Sequence, residues 1–522
     1  MRLKNVSASI HSLFKRQRSQ QVESLGAKRF GMDFESLEPR LLLSADFLTV
    51  AGESSYTLKF ADNGSTDELQ LYADGVLSET LALPSDHIVN VFGTAGADDL
   101  DFYINVDAAF EVAEAIELNF NLLGGDDTIE LNDFDGLASS VVSNINFAGG
   151  DGDDEINVVG DLQLTSTNLA LEAEQVDVEG AASIIGTGEI SLIADSQKAD
   201  GSSVDALATI TVESAAVISA ETITLSADAG ALLTSALDSG TLTSNARAQI
   251  DVSGVLTASG KLNIDSHVNN STDVEDGGGG LTNIEVVTSS TAIAAVHNTA
   301  TLTADAMQIT STITGDVDVD LSEILTGVNA VTVTNITQAG IDEAATIEIG
   351  GAAVSMGEPA SLLVQAIDSS SVDSQVSQDG ILSGLVGSFD LSLISQTNSI
   401  SRTIDAYIGT EITNNSVTPN LLLETNVNVE GSVKIEAQSS GGVTANIDSQ
   451  AIGVALNTVI EATTASVKGS ALDASGLLLQ STSSGIASAT GVVSDNVISG
   501  DTLASIENSD LAIGSGGLML HA

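Results

Sequence analysis

The stretch "AETITLSAD", Ala220 to Asp228, decides how this chain folds. A small residue opens it, a polar step follows, and apolar and polar residues then alternate up to another small residue. Alternation with a period of two marks a half-buried strand, because successive side chains project to opposite faces. The phrase returns as "GEISLIAD" from Gly188, "SGKLNIDS" from Ser259, "EGSVKIEAQS" from Glu430, "SGLLLQST" from Ser475 and "SGGLMLHA" from Ser515. Copies that follow closely lie roughly thirty to forty-five residues apart, a long internal period of the kind that indicates solenoids or arrays.

Composition points the same way. Trp is absent and aromatics make up only 3% of the 522 residues, so the core must be built from Val, Ile, Leu and Ala. Such a core suits thin stacked layers. A row of separate β-sandwiches is the competing architecture, but sandwiches carry aromatic cores and clearer hairpin turns. The expected fold is all-β, a right-handed parallel β-helix or similar β-solenoid. Ser/Thr/Asp-rich segments such as "HVNNSTDVEDGGGG", from His267, read as loops leaving the coil.

The formal net charge is −57, from 72 acidic and 15 basic side chains. Nucleic acid is excluded as a partner, since it requires a basic footprint. Divalent cations, or simple solubility, are favoured instead. With no Cys, disulfides, thiolate zinc sites and thiol catalysis are excluded. No run of eighteen apolar residues occurs, so no transmembrane segment is expected.

Three zones follow. Residues 1–46 hold eight of the fifteen basic side chains and are expected to form a short helical or disordered basic segment of export type. Residues 47–162 hold nearly all the remaining aromatics and should begin and cap the β-structure. Residues 163–522 are Ser/Thr/Ala-rich solenoid repeats with two aromatics, Phe389 and Tyr407. The chain stops inside the recurring phrase with no polar cap after it, as the front part of a longer protein would.

Residues 47–162 also contain three acidic turns: "GTAGADDLDF" from Gly93, "LLGGDDTIEL" from Leu122 and "GGDGDDEINV" from Gly149. Aligned on Asp98, Asp127 and Asp154, each has Gly two residues before (Gly96, Gly125, Gly152). Each has an aliphatic residue two after (Leu100, Ile129, Ile156). Crowded carboxylates repel unless water screens them or a cation sits between them. Glycine lets the backbone turn with positive φ, and one turn per coil would align the three aspartates along an edge. A Ca²⁺ ion prefers six to eight hard oxygens in forgiving geometry, which such turns can supply. The competing reading is an Asp-Gly turn that tolerates its charge.

Two resemblances bear on function. "LEPRLLLSAD", Leu37 to Asp46, resembles the LEPR-XLL motif of very large, repetitive bacterial proteins held to be exported or surface-associated; Leu37, Glu38, Pro39, Arg40, Leu42 and Leu43 agree with it. The acidic turns resemble the hemolysin-type (RTX) nonapeptide Gly-Gly-x-Gly-x-Asp-x-aliphatic-x. The third turn matches at Gly149, Gly150, Gly152, Asp154 and Ile156, and the first at Gly93, Gly96, Asp98 and Leu100. The second keeps Gly125, Asp127 and Ile129 but has Leu122 and Leu123 where Gly belongs. In that family Ca²⁺ sits between successive turns of a parallel β-roll. The departure here is spacing, since these turns do not follow one another directly every nine residues.

A weaker candidate is "GDVDVDL", Gly315 to Leu321, whose aspartates share one strand face, most simply a hydrated one. No catalytic constellation is legible: the five His are scattered, and no GxSxG, HExxH, P-loop or dinucleotide fingerprint occurs. The expectation is therefore not an enzyme but an extracellular or cell-surface, adhesin-like structural protein. Its expected partners are calcium ions and cell-surface or matrix polymers. The alternatives are a polysaccharide-active β-helix enzyme, which calls for convergent carboxylates beside basic or aromatic groups, and an ion-free spacer.

Overall fold

The computed structural model describes residues 47–522 apart from scattered positions and short stretches, the longest being 351–360, 378–392 and 410–424. The N-terminal basic segment and the LEPR-like motif lie outside the described residues. Those described form a parallel β-solenoid without helices. Among the described residues no helix is long and apolar enough to cross a membrane, a statement that says nothing of strands.

Each coil contributes strands to three faces, and nearly every pairing is parallel and in register with the next coil. The recurring phrase is one of these faces. Ile190, Ile223, Leu262, Met307, Leu362, Val433, Leu477 and Leu518 pair in that order from coil to coil. Two copies with weaker sequence signals, around Met307 and Leu362, complete the column. Burial explains the phrase: in the strand Glu189–Asp200, Ile190, Leu192 and Ala194 are fully buried while the residues between them face outward.

Coil length changes along the axis. Along that same face, Val89, Leu118, Ile145, Leu169 and Ile190 are 29, 27, 24 and 21 residues apart. Later coils widen, with 33 residues from Ile190 to Ile223 and 39 from Ile223 to Leu262. The narrow coils have room for aromatics inside: Phe120 and Phe147, paired in register, stack with centroids 4.1 Å apart. At the N-terminal end the strands Glu53–Asp62, Asp67–Ala73 and Val76–Ala82 form an antiparallel meander, and Glu53–Asp62 also pairs with Asp99–Val106. Its buried Leu58, Phe60, Leu69 and Leu71 close that end of the core.

The wide coils bury polar side chains, and this overturns one expectation. "HVNNSTDVED" is not a loop: it continues the strand Val255–Asp276. Asn270 stays inside because its amide donates to Ser289 O and Ser290 Oγ while its oxygen accepts from Ser244 Oγ at 2.6 Å. Satisfied in this way, a buried amide no longer carries the desolvation penalty that would push it out. Further along, fully buried Arg402 donates to Glu461 Oε1 at 2.5 Å and lies 3.6 Å from Asp368.

Candidate metal centre at the stacked glycine–aspartate turns

The three acidic turns stack directly on one another at one corner of the solenoid. The strands that follow them start in register, with Asp99 beside Thr128 and Thr128 beside Glu155. The intervening residues form the other two faces of each coil, which is why the turns recur every 29 and 27 residues. Leu100, Ile129 and Ile156 are buried in the core, anchoring each turn.

Asp98, Asp127 and Asp154 are themselves buried, between 1% and 3% exposed. Their carboxylates form a ladder with the main chain. Gly52 N–H donates to Asp98 Oδ1 at 2.6 Å, Asp98 N–H to Asp127 Oδ1 at 2.7 Å, and Asp127 N–H to Asp154 Oδ1 at 2.9 Å. Asp154 N–H donates to Glu174 Oε2 at 2.9 Å, so Glu174 is a fourth member that the motif did not reveal. Its signal was present: Glu174 precedes buried Val176 by two residues, as Asp154 precedes Ile156.

Each aspartate thus has one oxygen compensated by an N–H. The second oxygens differ. Asp98 Oδ2 accepts from Thr94 N–H and from Thr94 Oγ1. Asp127 Oδ2 and Asp154 Oδ2 are buried without a hydrogen-bond partner among the described residues. Burial pushes the Asp127 carboxyl up from 3.8 to about 6, with the charges of Asp154, Asp98 and Asp126 adding to it. Burial likewise raises Asp154 and Glu174. At the far side of the stack Lys198 Nζ donates to Gly152 O at 3.2 Å and to Asp153 Oδ1. Burial alone would lower the pKa of this ammonium, but Asp153 more than offsets that and raises it.

The glycines act chiefly through close approach, not through the torsion freedom expected of them. Only Gly125 and Gly150 of the motif adopt positive φ, at 125° and 115°. Gly93 lies so close to Leu122 that a β-carbon would meet Leu122 Cα at 2.8 Å, and one on Gly152 would overlap the Gly125 carbonyl. On Gly149 it would collide with the Asp154 carboxylate; on Gly96 it would meet no described atom nearer than Thr94 Oγ1 at 4.0 Å, an ordinary contact. Leu123, standing where Gly150 stands one coil later, is forced to a φ of 76°.

Among the described residues no three or more Asp, Glu or His side chains gather closely enough to hold a metal by themselves. An ion at this corner would therefore need main-chain carbonyls as well as Asp127 and Asp154, the mixed oxygen set Ca²⁺ accepts. The orphaned oxygens fit that demand. The Gly315–Leu321 candidate is different: Asp316, Asp318 and Asp320 face solvent on the strand Asp316–Ser322.

The enzyme alternative calls for a cleft with convergent carboxylates beside basic or aromatic groups, and one outer groove of about 470 Å³ has that composition. There His297 lies between two carboxylates, 2.8 Å from Asp251 and 2.7 Å from Asp342. No family model, no curated protein and no solved structure matches this chain.

Proposed function

We propose that this chain is an extracellular or cell-surface, adhesin-like structural repeat protein, and that its first coils bind Ca²⁺ at the stacked glycine–aspartate turns. One observation carries the ion: on consecutive coils, Asp127 Oδ2 and Asp154 Oδ2 are buried with no hydrogen-bond partner among the described residues. A buried carboxylate oxygen without a partner is destabilising by about 1–3 kcal/mol or more. Protonation or a bound cation removes that penalty, and at neutral pH the cation does so without a proton being taken up. Asp127, Asp154 and turn carbonyls would hold the ion, which would tie coil to coil.

The long register of parallel strands supports the structural part of the reading, because a solenoid in which each coil contacts only its neighbours makes a stalk. Coupling ion binding to coil formation would keep the chain unfolded where Ca²⁺ is scarce and order it outside the cell. Thermal unfolding of the full chain in chelator, in Ca²⁺ and in Mg²⁺ tests this. A rise in Tm specific to Ca²⁺ is expected, and coincident curves in all three would refute the ion.

A further inference from the structure

We propose that the outer groove centred on His297 and Tyr407 is a binding site for a neutral, hydroxyl-rich polysaccharide chain lying along the solenoid axis. The site is distant in sequence from the acidic turns and independent of the ion they would hold.

The groove is built by register. Gln249, Gln338 and Asp405 belong to one row of outward positions that crosses five successive coils. Asp251 and Tyr407 belong to the row two residues further along the same strands. Rows of this kind run across the strands, so their side chains repeat at the strand spacing of about 4.8 Å. Hydroxyl groups along an extended pyranose chain repeat at a comparable distance, so one chain can meet several rungs in turn.

Its floor is cut by small residues. Tyr407 leans across the coil boundary so that its ring occupies the space a β-carbon on Gly340 would need. Covering a glycine in a sheet with an aromatic ring is a recurring way of fixing both. The phenol is pinned as well: Tyr407 OH donates to Asp342 Oδ1 at 2.7 Å and accepts from Gln338 Nε2 at 3.0 Å. His297 bridges Asp251 and Asp342, and these two hydrogen bonds raise its pKa to about 10, so it is a cation at neutral pH. Burial tends to raise Asp342, but His297 and Tyr407 outweigh it and hold the carboxyl low. The polar groups are therefore positioned before any ligand arrives, which reduces the ordering cost of binding.

The charge balance selects the ligand. Asp251, Asp342 and Asp405 face His297 and Lys468 within the same groove. Three carboxylates oppose a phosphate or uronate polymer. The imidazolium and ammonium oppose a metal ion, and oxygens of Asp251 and Asp342 already pair with the imidazole. What remains is a mixture of acceptors, amide donors and one ring face, the set that hydrogen-bonds and stacks on neutral sugars. At about 470 Å³ the groove falls within the roughly 300–1,000 Å³ of small-ligand sites, enough for a short run of sugar units.

Affinity electrophoresis of the full chain through gels containing soluble α-glucan, β-glucan, mannan, galactan or polygalacturonate tests the proposal, with and without chelator. Retardation by at least one neutral polymer is expected, unchanged by chelator. Gln338→Ala and Tyr407→Phe, each checked for folding by circular dichroism, should weaken it about tenfold or more. No retardation by any neutral polymer, retardation only by polygalacturonate, or retardation that both folded variants retain would each overturn the proposal. Loss of Ca²⁺ binding at the acidic turns would leave it standing.

Discussion

Replacing Asp127 with asparagine removes one buried charge yet keeps an oxygen to accept the Asp98 N–H. The magnitude follows from the site. Asp127 is 1% exposed, and burial with neighbouring charge moves its pKa from 3.8 to about 6. A carboxyl whose pKa is higher in the folded state than in the unfolded one binds its proton more tightly when folded. Its contribution to stability is therefore full below about pH 3.8 and is lost as pH rises through about 6. Two units at about 1.36 kcal/mol each make a loss of about 3 kcal/mol by neutral pH. Asparagine abolishes that loss, less about 1 kcal/mol for the amide N–H left unpaired where Oδ2 stood. In chelator near neutral pH, Asp127→Asn should thus be about 2 kcal/mol more stable than the wild type. The gap should close on acidification. In Ca²⁺ the order should invert, because an amide is a poor substitute for an anionic ligand. Urea unfolding followed by circular dichroism, in chelator and in Ca²⁺ across this pH range, reads all three. A variant less stable than the wild type in chelator would mean that the N–H ladder alone satisfies the carboxylate, and the buried charge would then carry no penalty for a cation to relieve.

Other substitutions probe the packing directly. Gly152→Ala should destabilise by about 3 kcal/mol through lost main-chain hydrogen bonds between coils, whereas Gly96→Ala, whose β-carbon would make only an ordinary contact with Thr94, should change the urea midpoint little; equal effects would contradict the close-approach account. Leu123→Gly relieves a left-handed backbone and should stabilise by about 1 kcal/mol in the same assay. Arg402→Met strands Asp368 and Glu461 without their cation inside the wide coils, and a loss of about 3–5 kcal/mol is expected in chemical denaturation.

The column of coils was readable because burial repeats: a residue such as Ile223 or Leu262 must be apolar in every copy, and its flanking small residues mark the corners. The alignment of Asp98, Asp127 and Asp154 was readable for a related reason, since each is tied by two residues to a buried aliphatic side chain. The wide coils were not readable as such. Polar interiors look like loops until partners are known, and the partners of Asn270 lie 19 to 26 residues away. The ladder of carboxylates and main-chain N–H groups was hidden because an amide leaves no trace in composition. The groove was hidden for the same geometric reason: His297 is 45 and 46 residues from the aspartates it bridges, and only the strand register brings them together. Glycine shows the limit most clearly. Its presence at the turns was informative, but whether it served torsion or close approach depended on the neighbouring coil.

The most direct measurement is Ca²⁺ titration of the full chain by isothermal calorimetry, run beside the variant in which Asp98, Asp127 and Asp154 are all replaced by asparagine. Saturable binding in the wild type that disappears in a folded variant is the expected result. Equal heats from the two proteins would place any bound ion away from the stacked turns and contradict the account.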